Sequence, residues 1–204
     1  MKPGGGKIKG GNYERDICRK LSMWVSDDQH DNIFWRSASS GARATFQRKK
    51  GVENKDQAAD ISAISEEGFI LTNFACIECK AYKDLGIANF VLGKKSKLLE
   101  FFLELETIAK PLNKLAMLVA KQDYKPEMLL TREQIWEHVR QFDSNELHEV
   151  TVVCYGYNNE YKLYLLDEFL YKCKLIRKED KEPGGILYVR PVSEVQPVRT
   201  EEGV

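Results

Sequence analysis

The chain has 204 residues, five cysteines, and 31 Lys+Arg against 31 Asp+Glu, so its net charge is zero. That balance excludes polyanion binding through global charge and leaves only local clusters to do it. The length is enough to bury roughly 70% of the unfolded surface without disulfides, and an odd, unframed cysteine count reads as reduced thiols.

In chain order, "MKPGGGKIKGG" is a flexible lead-in over residues 1–11 and lacks the apolar core of a signal peptide. No apolar run reaches the roughly 20 residues that span a bilayer. A soluble, cytoplasmic protein with no membrane partner is therefore expected. "NYERDICRKLSMWV" has helical spacing: Tyr13, Ile17, Leu21 and Trp24 share a stripe, with Asn12 as N-cap. "DNIFWRS" reads as a strand. The following loop carries Arg43, Arg48, Lys49 and Lys50, and from Asn32 to Val52 no acid occurs. "DISAI" alternates as a strand, "SEEG" as a turn, and "FILTNFACIECK" as a long strand, so residues 60–80 are expected to form a hairpin.

Further on, "KKSKLLEFFLELETIAK" is an amphipathic helix stopped before Pro111. Its Leu and Phe stripe over 98–109 reads as core, with a symmetric homodimer face as the alternative. "KLAMLVAK" is a buried strand. Thr131 and Gln134 have capping-box spacing and place a helix over "TREQIWEHVRQF". "EVTVVCYGY" and "EYKLYLL" form a strand pair, and "DEFLYKCKLI" a short helix. The tail from Lys178 is charged, with one edge strand at "GILYV". The fold class is α/β, a mixed central β-sheet flanked by helices. Residues 12–177 make the domain, between the lead-in and a charged tail over 178–204.

The chemistry concentrates in residues 69–80. Side chains alternate along a strand, so Ile70, Thr72, Phe74, Cys76, Glu78 and Lys80 share one face. Both faces are apolar up to Glu78, which is expected of a central strand. Asp60, opening the preceding strand, is brought beside its end. Two carboxylates and an ammonium then converge. Such a pair can share a hard cation such as Mg²⁺, which keeps sites for water and phosphate, while the lysine orients that water or stabilises the developing charge. The bland alternative is an inert salt bridge at a strand terminus. Cys76-x-x-Cys79 spans opposite faces and reads as core packing, and His30, His138 and His148 have no metal spacing.

Glu14 in a first helix, "WRSASSGAR", "AADISAI" and "IECKAYK" together resemble the PD-(D/E)xK nuclease superfamily. The nearest likeness is to archaeal-type Holliday-junction resolvases and related phage nucleases, over residues 10 to about 125. Ala59 stands where the family name has proline. The resemblance implies a restriction-endonuclease-like fold and a Mg²⁺-dependent DNA endonuclease, with Mn²⁺ able to substitute. It implies that Asp60 and Glu78 hold the metal with the Cys79 carbonyl, that Lys80 positions the attacking water, and that Glu14 reaches the metal through water or binds a second ion. It also implies phosphate contacts from Arg36, Ser39, Ser40 and Arg43, supported by Lys49 and Lys50, with Tyr82 and Lys83 near the substrate. The alternatives are a restriction-type or other DNA-processing nuclease and, in a different class, a nucleic-acid-binding protein that keeps the fold without catalysis.

Overall fold

The computed structural model describes residues 5–37, 59–141, 147–154 and 159–176. Helix α1 runs Gly5–Val25, starting seven residues before the expected cap. Asn12 therefore lies inside the helix, where its Oδ1 accepts from Arg15 Nη1 at 2.9 Å. The expected stripe is confirmed: Tyr13, Ile17, Leu21 and Trp24 are all buried. Full burial of Ile17 and Leu21 alone contributes about 1.5–3 kcal/mol each.

Strands β1 (Phe34–Arg36) and β2 (Ile61–Ala63) pair antiparallel, with Arg36 opposite Ile61. Ser22, fully buried in α1, ties β1 to the helix. Its Oγ accepts from the amides of Ile33 and Phe34 at 3.0 Å and donates to Cys18 O at 2.8 Å.

The structure corrects the next segment. Glu66–Gly68 is a 3₁₀ turn and Phe69–Thr72 a short helix, α2; strand β3 begins only at Ala75 and runs to Tyr82. A short apolar run fits a strand or a buried helical turn equally well, and periodicity alone does not separate them. Here Leu71 is buried while Phe69 is 46% exposed, as one-sided packing requires. Gly68 fixes the tight approach: a Cβ there would lie 2.7 Å from Ala63 Cβ and 2.9 Å from Ile33 Cγ2.

The expected 60–80 hairpin also does not form, because β2 pairs with β1 while β3 pairs in parallel with β4 (Leu115–Gln122). The connection is a short helix α3 (Ile87–Val91) and the longer α4 (Lys97–Ala109), whose N-cap Ser96 accepts from Leu99 N. Strands β5 (Glu127–Thr131), β7 (Glu149–Cys154) and β8 (Asn159–Leu165) complete a mixed five-stranded sheet in the order β3-β4-β5-β8-β7. Thus β3 is an edge strand of this sheet, not a central one. Its two apolar faces reflect helices above and below, since α1 packs on the Ile77 and Cys79 side and α4 on the Cys76 side.

The capping-box helix is a second correction. Thr131 ends β5, buried throughout, and its hydroxyl donates to Ala116 O at 2.9 Å. A 3₁₀ helix follows at Glu133–Glu137, then β6 (Val139–Gln141), which pairs with β9 (Cys173–Leu175). The last helix, α5 (Leu166–Lys172), ends where β9 starts, so the helix expected over "DEFLYKCKLI" covers only its first part. The α4 stripe is core, with Leu98, Leu99, Phe102, Leu105 and Ala109 buried. Among the described residues no helix is long and apolar enough to cross a membrane. The expected "GILYV" strand and the charged tail lie outside the described residues.

Candidate active site

The outer edge of β3 has no strand partner in the five-stranded sheet, and the segment leading into β2 takes that place. Asp60 N donates to Ile77 O at 3.1 Å, and Cys79 N donates to Asp60 Oδ2 at 3.0 Å. Because N–H and C=O of one strand residue point to the same edge, the Cys79 carbonyl also faces Asp60. The strand β1 holds this segment from its other side. Ser37 N donates to Asp60 O at 2.8 Å, and Ser37 Oγ to Ala59 O at 2.5 Å. Ser37, 5% exposed, is a supporting residue that pattern reading missed. It lies two residues before Ser39, and nothing in its type or spacing marks it.

Glu78 and Lys80 share the β3 face turned to α4 and form an ion pair through Glu78 Oε1 and Lys80 Nζ. Asp60 is 7% exposed. Burial raises its carboxyl from 3.8 to about 6, with the neighbouring Glu78 charge adding to the rise; the Cys79 N–H and the Lys80 charge oppose it. Burial lowers Lys80, but the Glu78 charge and hydrogen bond outweigh that and leave its pKa raised. Lys80 is therefore an ammonium at neutral pH.

Glu14 projects from α1 toward the same region and pairs with Arg36 Nε. Gly11 makes the pair feasible. A Cβ at Gly11 would lie 3.0 Å from Arg36 Nη1, so the guanidinium rests on bare helix backbone. The Cys79 thiol reports how closely the acids gather: burial pushes it well above its ordinary value, and the charges of Asp60, Glu78 and Glu14 push it further.

The structure thus brings Asp60, Glu78, Lys80 and Cys79 together, with Glu14 drawn toward Arg36 beside them. Tyr82 continues the Glu78–Lys80 face and is 40% exposed, and Lys83 is exposed just beyond. Ser39, Ser40, Arg43, Lys49 and Lys50 lie outside the described residues. Cys76 and Cys79 are buried and pack into opposite cores, as their spacing implies.

Could this set hold a divalent cation? Among the described residues no group of three or more His, Cys, Asp or Glu side chains is gathered for a metal. The donors at hand are two carboxylates and one backbone carbonyl, all hard oxygens. That suits Mg²⁺, which takes one or two carboxylates and keeps several waters. A nearly buried carboxylate beside a second one carries uncompensated negative charge, which a cation would relieve. The donor chemistry fits.

The sequence matches the family described as "Phage putative PDDEXK endonuclease" over residues 5–180. No curated protein and no solved structure matches it.

Proposed function

The chain belongs to the phage PDDEXK endonuclease family, and on that premise we propose that it is a Mg²⁺-dependent DNA endonuclease, a Holliday-junction resolvase being the first candidate among substrates. The observation that supports it most is the Asp60–Glu78 carboxylate pair, tied to the E-x-K strand by the Cys79 amide with Lys80 on the same face. An inert salt bridge has no use for a second, nearly buried acid that holds its proton to about pH 6. The proposed domain runs over residues 12–177, with α1 beginning before it at Gly5, in an intracellular protein that works alone or as a homodimer.

In this reading a bound divalent cation would lower the pKa of a water and neutralise phosphate charge. Asp60, Glu78 and the Cys79 carbonyl would hold it, and Mn²⁺ would substitute. Lys80 would orient the attacking water and face the phosphate. Hydrolysis forms one P–O bond to the water oxygen and breaks one to the leaving sugar oxygen, which departs with a proton. Glu14 helps from the helix through water, with Arg36 fixing its direction. Arg43, Ser39, Ser40, Lys49 and Lys50 are assigned to backbone phosphates, with Tyr82 and Lys83 at the substrate margin.

The test is nicking of labelled DNA in Mg²⁺ by wild type and Asp60→Asn, run on a four-way junction, a flap, a linear duplex and a single strand. Cleavage lost in the variant supports the reading, and symmetric preference for the junction selects resolvase. Wild-type protein that cuts none of the four in Mg²⁺ or Mn²⁺ would overturn it.

A further inference from the structure

Beyond the carboxylates, the α4 side of β3 carries a row of alternating charge and ring. Lys80 Nζ lies 5.4 Å from the Phe101 ring centroid. Phe101, on α4, meets Tyr82 at 5.1 Å between ring centroids with planes tilted by 39°. Lys97, exposed at the start of α4, sets its Nζ 5.3 Å from the Tyr82 centroid. Tyr82 stays 40% exposed although its ring is held from behind.

We propose that Tyr82, backed by Phe101 and flanked by Lys80 and Lys97, is a stacking platform for an unpaired base next to the phosphate that is cut. The proposal rests on the nuclease reading and narrows its substrate to DNA with unpaired nucleotides at the cleavage site, a flap or fork rather than the fully paired four-way junction. The first argument is chemical. A ring needs the open face of a base, which the duplex stack hides, and base–aromatic stacking tolerates any sequence. The second is the order of groups: ammonium, ring, ammonium repeats as phosphate, base, phosphate do along one strand. Lys97 is exposed, so its ammonium can leave the ring for the next phosphate when a base arrives.

The experiment is fluorescence quenching of 2-aminopurine by the full chain in EDTA, where no cleavage occurs. One probe carries the analogue at the first unpaired nucleotide of a flap; the other carries it inside an uninterrupted duplex. Wild type is expected to quench the flap probe and to bind it more tightly. Tyr82→Ala should weaken flap binding by ~10-fold or more and leave duplex binding within about twofold of wild type. Tyr82→Phe should behave as wild type, because the ring and not the hydroxyl does the work. Lys97→Ala should keep the quenching and reduce the slope of log affinity against log salt by about 0.7–0.9. The proposal is overturned if wild type does not quench the flap probe. Equal weakening of both probes by Tyr82→Ala, or Tyr82→Phe matching Tyr82→Ala, would overturn it as well. The two readings fail separately: protein that cuts DNA without quenching loses the platform alone, and protein that quenches without cutting loses the nuclease alone.

Discussion

Among the described residues, Asp60 and Glu127 are carboxylates each 7% exposed, and their surroundings are opposite. Glu127, at the start of β5, accepts from Lys20 Nζ at 2.7 Å and from Lys121 Nζ at 3.0 Å. Lys20 also reaches Asp167 Oδ1 at 2.6 Å, so here two acids share two cations. Asp60 has a backbone amide, a second carboxylate beside it, and a single lysine that is already paired with that carboxylate. Two acids share one cation. The first arrangement satisfies charge and stabilises the fold; the second leaves charge unsatisfied and waits for something positive. Burial alone does not distinguish them. The count of partners does.

The largest effect expected of this contrast is on rate. Lys80→Ala should cut DNA roughly 10²–10³-fold more slowly, the usual loss for one positioned electrostatic group, while Glu127→Gln should cut at about the wild-type rate. Single-turnover nicking in Mg²⁺ measures both. Equal losses in the two variants would erase the distinction between the sites.

Stability should move in opposite directions. A carboxyl whose folded pKa is raised from 3.8 to about 6 favours the protonated native state. Between these values the native chain binds more protons than the unfolded one, so the Asp60 contribution falls as pH rises from about 4 to 6 and is level above. The ionised form costs up to about 3 kcal/mol there. Asp60→Asn should therefore stabilise the metal-free protein at pH 8 by up to that amount and make little difference at pH 4. Urea melts at the two pH values check it, and a destabilised variant at pH 8 would count against the uncompensated charge.

Glu127→Gln should destabilise by about 1–3 kcal/mol. The loss is smaller than for a fully buried pair because the side chains of Lys20 and Lys121 are 30% and 47% exposed. A melt at pH 7 within 0.5 kcal/mol of wild type would mean that the lysines reach water without cost.

The smallest effect on stability belongs to Gly11→Ala. It places a Cβ 3.0 Å from the Arg36 guanidinium and gains helix propensity, so the net change should stay within about 1 kcal/mol. Cleavage should nonetheless fall, because Arg36 must shift and Glu14 with it. Unchanged cleavage would take Glu14 out of the mechanism.

Much of this was legible in the residue pattern, for a definite reason. The spacing of Glu78 and Lys80, and the stripe from Tyr13 to Trp24, are local regularities, and both hold in the structure. The strand expected over Phe69–Phe74 failed because burial on one side of a helical turn and burial within a strand look alike over six residues. The expectation of a central β3 failed differently. Apolar side chains record what lies above and below a sheet, not what lies beside a strand in its plane, and the backbone that pairs in that plane has no residue signature. The Arg36–Glu14 pair is not legible in the sequence: the two residues are 22 positions apart, and Gly11, which admits the guanidinium, makes no contact a sequence could announce.

The Asp60 hydrogen bonds at the rim of β3 have one further consequence, for association between chains. An open strand edge offers unpaired amides and carbonyls to any other strand, and proteins blunt such edges with charge or cover. On β3, Ile77 O and Cys79 N are taken by Asp60 through its amide and its carboxylate. The acid assigned to the chemistry also occupies the place where a foreign strand would add. Replacing it with alanine removes one of those two bonds and the charge together, and so uncovers an adhesive edge beside Glu78 and Lys80. Asparagine keeps the acceptor, which makes it the safer substitution for keeping the protein monodisperse.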